Sequence, residues 1–174
     1  MTLLPRVAAC NWREPGGADA AVRIVRFLEQ IGVGVEIAPV EGPLFVPGME
    51  VRGGKIRIDP DAAGFPGDLL HEAGHIAVAD PARRAAMTDV GDNPGEEMAA
   101  IAWSVAAARA CDVPLAVVFH PEGYRGASES HIANFEKGAP FGVPLLGCWG
   151  MSCEPIRASE RGEAPFPAMK KWLR

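Results

Sequence analysis

The stretch Pro66-Gly67-Asp68-Leu69-Leu70-His71-Glu72-Ala73-Gly74-His75-Ile76-Ala77-Val78 sets two histidines four residues apart inside an apolar run. Gly64 and Pro66 break the chain before it and Asp80-Pro81 stops it. This predicts a helix over residues 66–80, since proline is tolerated in a first turn and disrupts a helix further in. Residues four apart on a helix share a face, so both imidazoles reach a single metal ion. Leu69, Leu70, Ile76 and Val78 are left to pack the other side of the helix while the histidine pair faces a cleft.

The residue types match the chemistry of zinc. Neutral imidazole nitrogen binds Zn2+ in a tetrahedral shell, and two histidines plus one further protein ligand leave a position open for water. Glu72, one residue after the first histidine, is placed to take a proton from that water as it attacks a polarised carbonyl. His-Glu-x-x-His on a helix is the arrangement of a metalloprotease, and a helix with two surface histidines bracketing a glutamate is the plain alternative.

A third ligand is required. The next strong helix, over residues 95–110, is rich in alanine and opens with Glu96-Glu97-Met98-Ala99-Ala100-Ile101-Ala102-Trp103. A glutamate on a following helix completes the gluzincin pattern, and carboxylate oxygen suits zinc. Glu97 shares its face with Ile101, Ser104 or Val105, and Ala108, a small strip that permits close packing on the histidine helix. Glu96 shares its face with Ala100, Trp103 and Ala107, where the indole would push the helices apart. Glu97 is therefore favoured, while either glutamate in a first helical turn also complements the helix dipole.

On these residues the chain resembles the ImmA/IrrE-like metallopeptidases over about residues 20–112. Members have a strand pair, a His-Glu-x-x-His helix, and a helix beginning Glu-Ala-Asn-x-Phe-Ala whose first glutamate is the third zinc ligand. Glu97-Met98-Ala99-Ala100-Ile101-Ala102 matches that helix in the glutamate, the apolar fifth position and the following alanine; the Asn and Phe are missing. The resemblance implies a zinc peptidase acting on a peptide or protein substrate. Members often carry a helix-turn-helix or sensor-like domain and cleave repressors, and neither appendage reads in this sequence.

Outward from the motif, Glu14-Pro15-Gly16-Gly17 ends whatever structure opens the chain. Residues 18–31 form an amphipathic helix with Ala21, Val22, Ile24, Val25, Phe27, Leu28 and Ile31 on its apolar side, closed by Gly32. Residues 33–40, 44–46, 49–51 and 55–58 are short strand candidates, and Gly53-Gly54 joins the last two as a hairpin. Residues 81–94 read as a loop, 115–119 as a last strand or a helical turn, and 128–137 as a short helix. Residues 115–174 as a whole form an irregular Gly- and Pro-rich wrap. Within it, Tyr124 is the candidate second catalytic group beside Glu72, because a phenol near zinc stabilises the oxyanion formed at a peptide carbonyl. His120 and, after it, His131 are further candidates for the same work. Cys148 and Cys153 read as core thiols.

The chain of 174 residues suits a single domain with an α+β fold, a small twisted, mostly antiparallel sheet packed with the two site helices. A net charge of -5 without a basic stripe excludes a nucleic-acid surface, and no apolar run spans a membrane. Four cysteines without CxxC spacing and no secretory leader point to a reduced, cytoplasmic protein. The oligomeric state has no sequence signal. The rival to a peptidase is a non-catalytic module with a structural metal or none, distinguished by coordination: a structural zinc is closed by four protein ligands, a hydrolytic one by three.

Overall fold

A computed structural model describes residues 2–41, 46–138 and 140–174. The fold is α+β, and α3 (Pro66–Val78), the histidine helix, lies at its centre. Before it come α1 (Leu3–Ala8), α2 (Gly17–Ile31), β1 (Val35–Ile37), β2 (Met49–Arg52) and β3 (Lys55–Ile58). After it come α4 (Pro81–Arg84), α5 (Pro94–Ala110), α6 (Leu115–Val118), a 3-10 turn at Tyr124–Gly126, α7 (Ser128–Glu136), α8 (Val143–Cys148) and α9 (Pro155–Arg161). No described helix is long and apolar enough to cross a membrane.

The amphipathic pattern of α2 is used as its spacing demands. Ala20, Ala21, Ile24, Val25, Phe27 and Leu28 are buried, and Gly32 ends the helix in the left-handed conformation at φ 87°. The sheet has the order β1-β3-β2. Its antiparallel pair is the hairpin around Gly53-Gly54, with φ of 62° and 68°, and β1 joins β3 in parallel. Met49, Val51, Ile56 and Ile58 turn inward. On the other face Glu36, Arg57 and Glu50 stand in one cross-strand row, with Arg57 2.7 Å from Glu36 and 3.2 Å from Glu50. The strand expected over residues 44–46 falls mostly outside the described residues.

Every residue of α3 except His71 is buried, which is why its sequence is apolar nearly all round. It packs on α2, on the sheet, and most closely on α5, whose residues from Ala99 to Ala108 are buried without interruption. Alanine permits that approach. A Cβ on Gly74 would lie 2.7 Å from the carbonyl oxygen of Ala100, so glycine sets how near the two helices come. Ser104 adds a polar tie, its Oγ 3.1 Å from the Leu70 carbonyl and 2.8 Å from that of Ala100.

Beyond α3 the structure is more helical than the sequence reading. Residues 81–94, read as a loop, contain α4, started by Pro81 and capped by Asp80, whose carboxylate accepts from the Ala82 amide. The wrap over 115–174 holds α6 to α9; α8 and α9 each begin with a proline in the first turn, a start signal hidden by the density of Gly and Pro. Its last residues dock on the core. Trp103 donates its indole N–H to the Trp172 carbonyl at 2.9 Å, and Trp172 meets Phe27 edge-on at 4.8 Å. Arg84 donates to the Ile76 and Ala77 carbonyls and the Arg174 amide donates to that of Ala77, so the last turn of α3 has cationic and amide partners. One expectation is corrected: Cys148 is exposed at the end of α8, and only Cys153 of that pair is a buried thiol.

Candidate metal centre

His71 and His75 converge as their spacing requires. Their Nε2 atoms are 3.1 Å apart, with the rings nearly perpendicular at 88°. Glu97 arrives from the first turn of α5, its Oε2 3.1 Å from His75 Nε2 and its Oε1 3.7 Å from His71 Nε2. Donors bound tetrahedrally to zinc at about 2.05 Å are separated by about 3.3 Å, so the three groups sit at the spacing of one face of a zinc tetrahedron. Among the described residues this is the one group of three or more His, Cys, Asp or Glu side chains able to hold a metal ion.

The register of α5 decides which glutamate participates. Asn93 caps the helix, its side-chain oxygen accepting from the amides of Gly95 and Glu96. Glu97 then faces α3 and Glu96 faces Arg83, which donates to it at 2.9 and 3.1 Å. Trp103, on the Glu96 side, points to Phe27 and Trp172 and leaves the α3 interface to small residues.

The electrostatics follow from burial. His75 is 4% exposed, whereas the Glu97 side chain is 45% exposed, so the cluster opens to solvent on the α5 side. Burial, with the neighbouring His75, holds His71 down to about 4, which keeps its imidazole in the neutral, ligating form. The hydrogen bond from His75 holds Glu97 below the usual carboxylate range despite partial burial. Glu72 is 5% exposed, and burial pushes its carboxyl up to about 7, with His75 opposing and Asp68 and Glu97 adding to the rise.

No family of known proteins, no curated protein and no solved structure matches the chain.

The other candidates are placed as follows. Tyr124 reaches the site from the 3-10 turn, its Oη 3.4 Å from Nδ1 of His71, the ring nitrogen that does not face His75. His131, on α7, stands behind it with the rings 5.3 Å apart, among Phe119 and Phe141. His120 is buried away from the metal ligands. Its Nε2 lies 2.9 Å from Oδ1 of Asp68, and its ring stacks on Phe65 at 3.8 Å. Asp68 is the site residue that sequence reasoning missed. Its signal was there: a carboxylate one helical turn before His71, on a helix whose other polar side chains are the motif residues His71, Glu72 and His75.

Proposed function

We propose that this chain is a zinc-dependent metallopeptidase of the ImmA/IrrE type, with His71, His75 and Glu97 as metal ligands and Glu72 as general base. The observation that carries it is the convergence of two imidazoles and one carboxylate, from two helices, onto donor separations that fit one zinc ion. When bound, zinc supplies the Lewis acidity that acidifies water and polarises a carbonyl. The protein's part is preorganisation. α3 is held by packing on almost every residue, Gly74 sets the depth at which α5 lies, and His71 and His75 share a face that needs no rearrangement to bind.

Glu72 supports the peptidase reading over a structural metal site. A carboxylate buried beside metal ligands costs stability, and its place one residue after His71 suits a group that takes a proton from bound water and returns it to a leaving amine. Three protein donors rather than four also favour a site with a position for water. The partial solvent exposure of Glu97 leaves the cluster open to water from the α5 side.

Metal content and cleavage of a proteome-derived peptide mixture, followed by mass spectrometry, test the proposal. The zinc-loaded chain is expected to hold one zinc and produce cleavages; His71→Ala loses the metal, and Glu72→Gln keeps it while cleavage stops. Stoichiometric zinc in His71→Ala would sink the ligand assignment, and undiminished cleavage by Glu72→Gln would remove the general base.

A further inference from the structure

Neutral imidazole bound to a metal through Nε2 carries its proton on Nδ1, and a buried N–H without an acceptor is costly. In His71 that Nδ1 faces the hydroxyl of Tyr124 at 3.4 Å, with the two rings perpendicular at 81° and 5.4 Å between centroids. No carboxylate or backbone carbonyl is hydrogen-bonded to this nitrogen among the described residues, so the phenol oxygen is the acceptor within reach of an Nδ1 proton.

Tyr124 reaches that position through unfavourable backbone. Tyr124 and Arg125 both have φ of 52°, in succession and without glycine, in the left-handed region that L-residues avoid at about 1–2 kcal/mol each. Such strain persists only where surrounding contacts over-determine it, and it gathers at functional sites. Here the contacts are visible. The loop entering the turn is fastened to α3 by His120, whose Nε2 meets the carboxylate of Asp68 at 2.9 Å with both side chains buried. Asp68 is one turn before His71 on the same helix, so the fastening sits next to the ligand. Phe65 covers the His120 ring, and the Ser128 hydroxyl donates to the His120 carbonyl at 2.8 Å, closing the loop on its far side. Gly123 lets the loop pass close at the crossing, where a Cβ would approach the His120 ring to 3.1 Å, tighter than an ordinary contact.

We infer that Tyr124 is a positioning residue for the metal ligand His71, its hydroxyl oxygen accepting a hydrogen bond from Nδ1–H, and that the Asp68–His120 pair acts through Tyr124 by pinning its loop to α3. The inference rests on the metal-ligand reading of His71 and assigns Tyr124 a place behind the ligand instead of at the substrate carbonyl. It makes the 3-10 turn part of the metal site, although none of its residues touches the metal.

Zinc affinity, measured by competition with a chromophoric chelator alongside the melting temperature of the metal-free chain, tests it. Tyr124→Phe keeps the ring and removes the oxygen; it is expected to weaken zinc binding about 10- to 100-fold while the metal-free melting temperature is unchanged. His120→Ala is expected to weaken zinc by about tenfold in the unaltered chain and by less than about threefold when combined with Tyr124→Phe, because its effect passes through the phenol. If His120→Ala does not fold, His120→Phe, which keeps a ring against Phe65 and cannot donate to Asp68, is read in both backgrounds by the same criterion. Unchanged zinc affinity in Tyr124→Phe overturns the positioning role alone, and equal losses from the His120 variant in both backgrounds overturn the relay. Absence of zinc binding by the unaltered chain overturns the metal reading and this inference with it.

Discussion

Glu97 holds Oε2 3.1 Å from Nε2 of His75, while Glu96, its neighbour in sequence, turns away to Arg83 at 2.9 Å. One residue of helix rotates a side chain by about 100°, so the cap at Asn93 and the close contact at Gly74 together select which carboxylate faces the two histidines. Replacing Glu97 by Gln is expected to weaken zinc by more than about 100-fold, and replacing Glu96 by Gln to leave it within about threefold. Chelator competition on the two purified variants distinguishes them. Equal losses would mean that the carboxylates share the site.

The same contact makes a prediction about packing. Gly74→Ala would place a methyl 2.7 Å from the Ala100 carbonyl, a backbone atom that moves only if α5 moves. Alanine gains up to about 1 kcal/mol of helix propensity over glycine, while overpacking costs typically about 1–3 kcal/mol, so a net loss of stability is expected. Because α5 carries Glu97, zinc affinity falls as well. Urea unfolding of the metal-free variant together with zinc titration checks both, and a stabilised variant with full zinc affinity would contradict the proposed role of the glycine.

The site was legible where local periodicity carries it. The spacing of His71 and His75 fixes a shared face, and the small residues after Glu97 predict the close helix pair that brings it in. The core of the fold was legible in the same way, from the apolar faces of α2 and α3 and the Gly53-Gly54 turn. What escaped depends on contacts between distant segments. Nothing near Asp68 announces a partner at His120, and Trp172 gives no sign that its carbonyl will receive the Trp103 indole. The parallel pairing of β1 with β3 is likewise set by where α2 delivers the chain, and α8 and α9 start on prolines that also read as turn formers.

The cysteines separate by burial. Cys148 is exposed, Cys10 and Cys153 are buried, and burial pushes the Cys111 thiol up to about 11. Thiolate is the reactive form, so a bulky maleimide at pH 7 is expected to label Cys148 quickly and the other three slowly, with all four labelled in denaturant. Intact-mass spectrometry over time counts the labels. Rapid labelling of Cys153 would show that α9 and the segment after it open readily from the core.

The buried pair of ionisable neighbours on α3 predicts a pH signature in the metal-free chain. Glu72 is raised from 4.5 to about 7, chiefly by burial, so its contribution to stability is fully present below pH 4.5 and is lost as pH rises through 7. His71 is lowered from 6.5 to about 4, again chiefly by burial, so its contribution is present above pH 6.5 and is lost as pH falls through 4. Between pH 4.5 and 6.5 the two slopes oppose each other and largely cancel. Glu72→Gln removes only the first. The metal-free variant is then expected to match its parent near pH 4.5 and to exceed it at pH 8 by up to about 3 kcal/mol, with a steeper fall on acidification of up to about 1.4 kcal/mol per pH unit. Urea unfolding of both proteins at pH 5 and pH 8 measures the difference, and an equal stability gap at the two values would show that Glu72 is not held protonated by its surroundings. A stability gap that opens only where the carboxylate ionises would support the proposed role of Glu72 as a proton-transferring group, since a buried carboxylate that costs the fold stability marks a functional-site candidate.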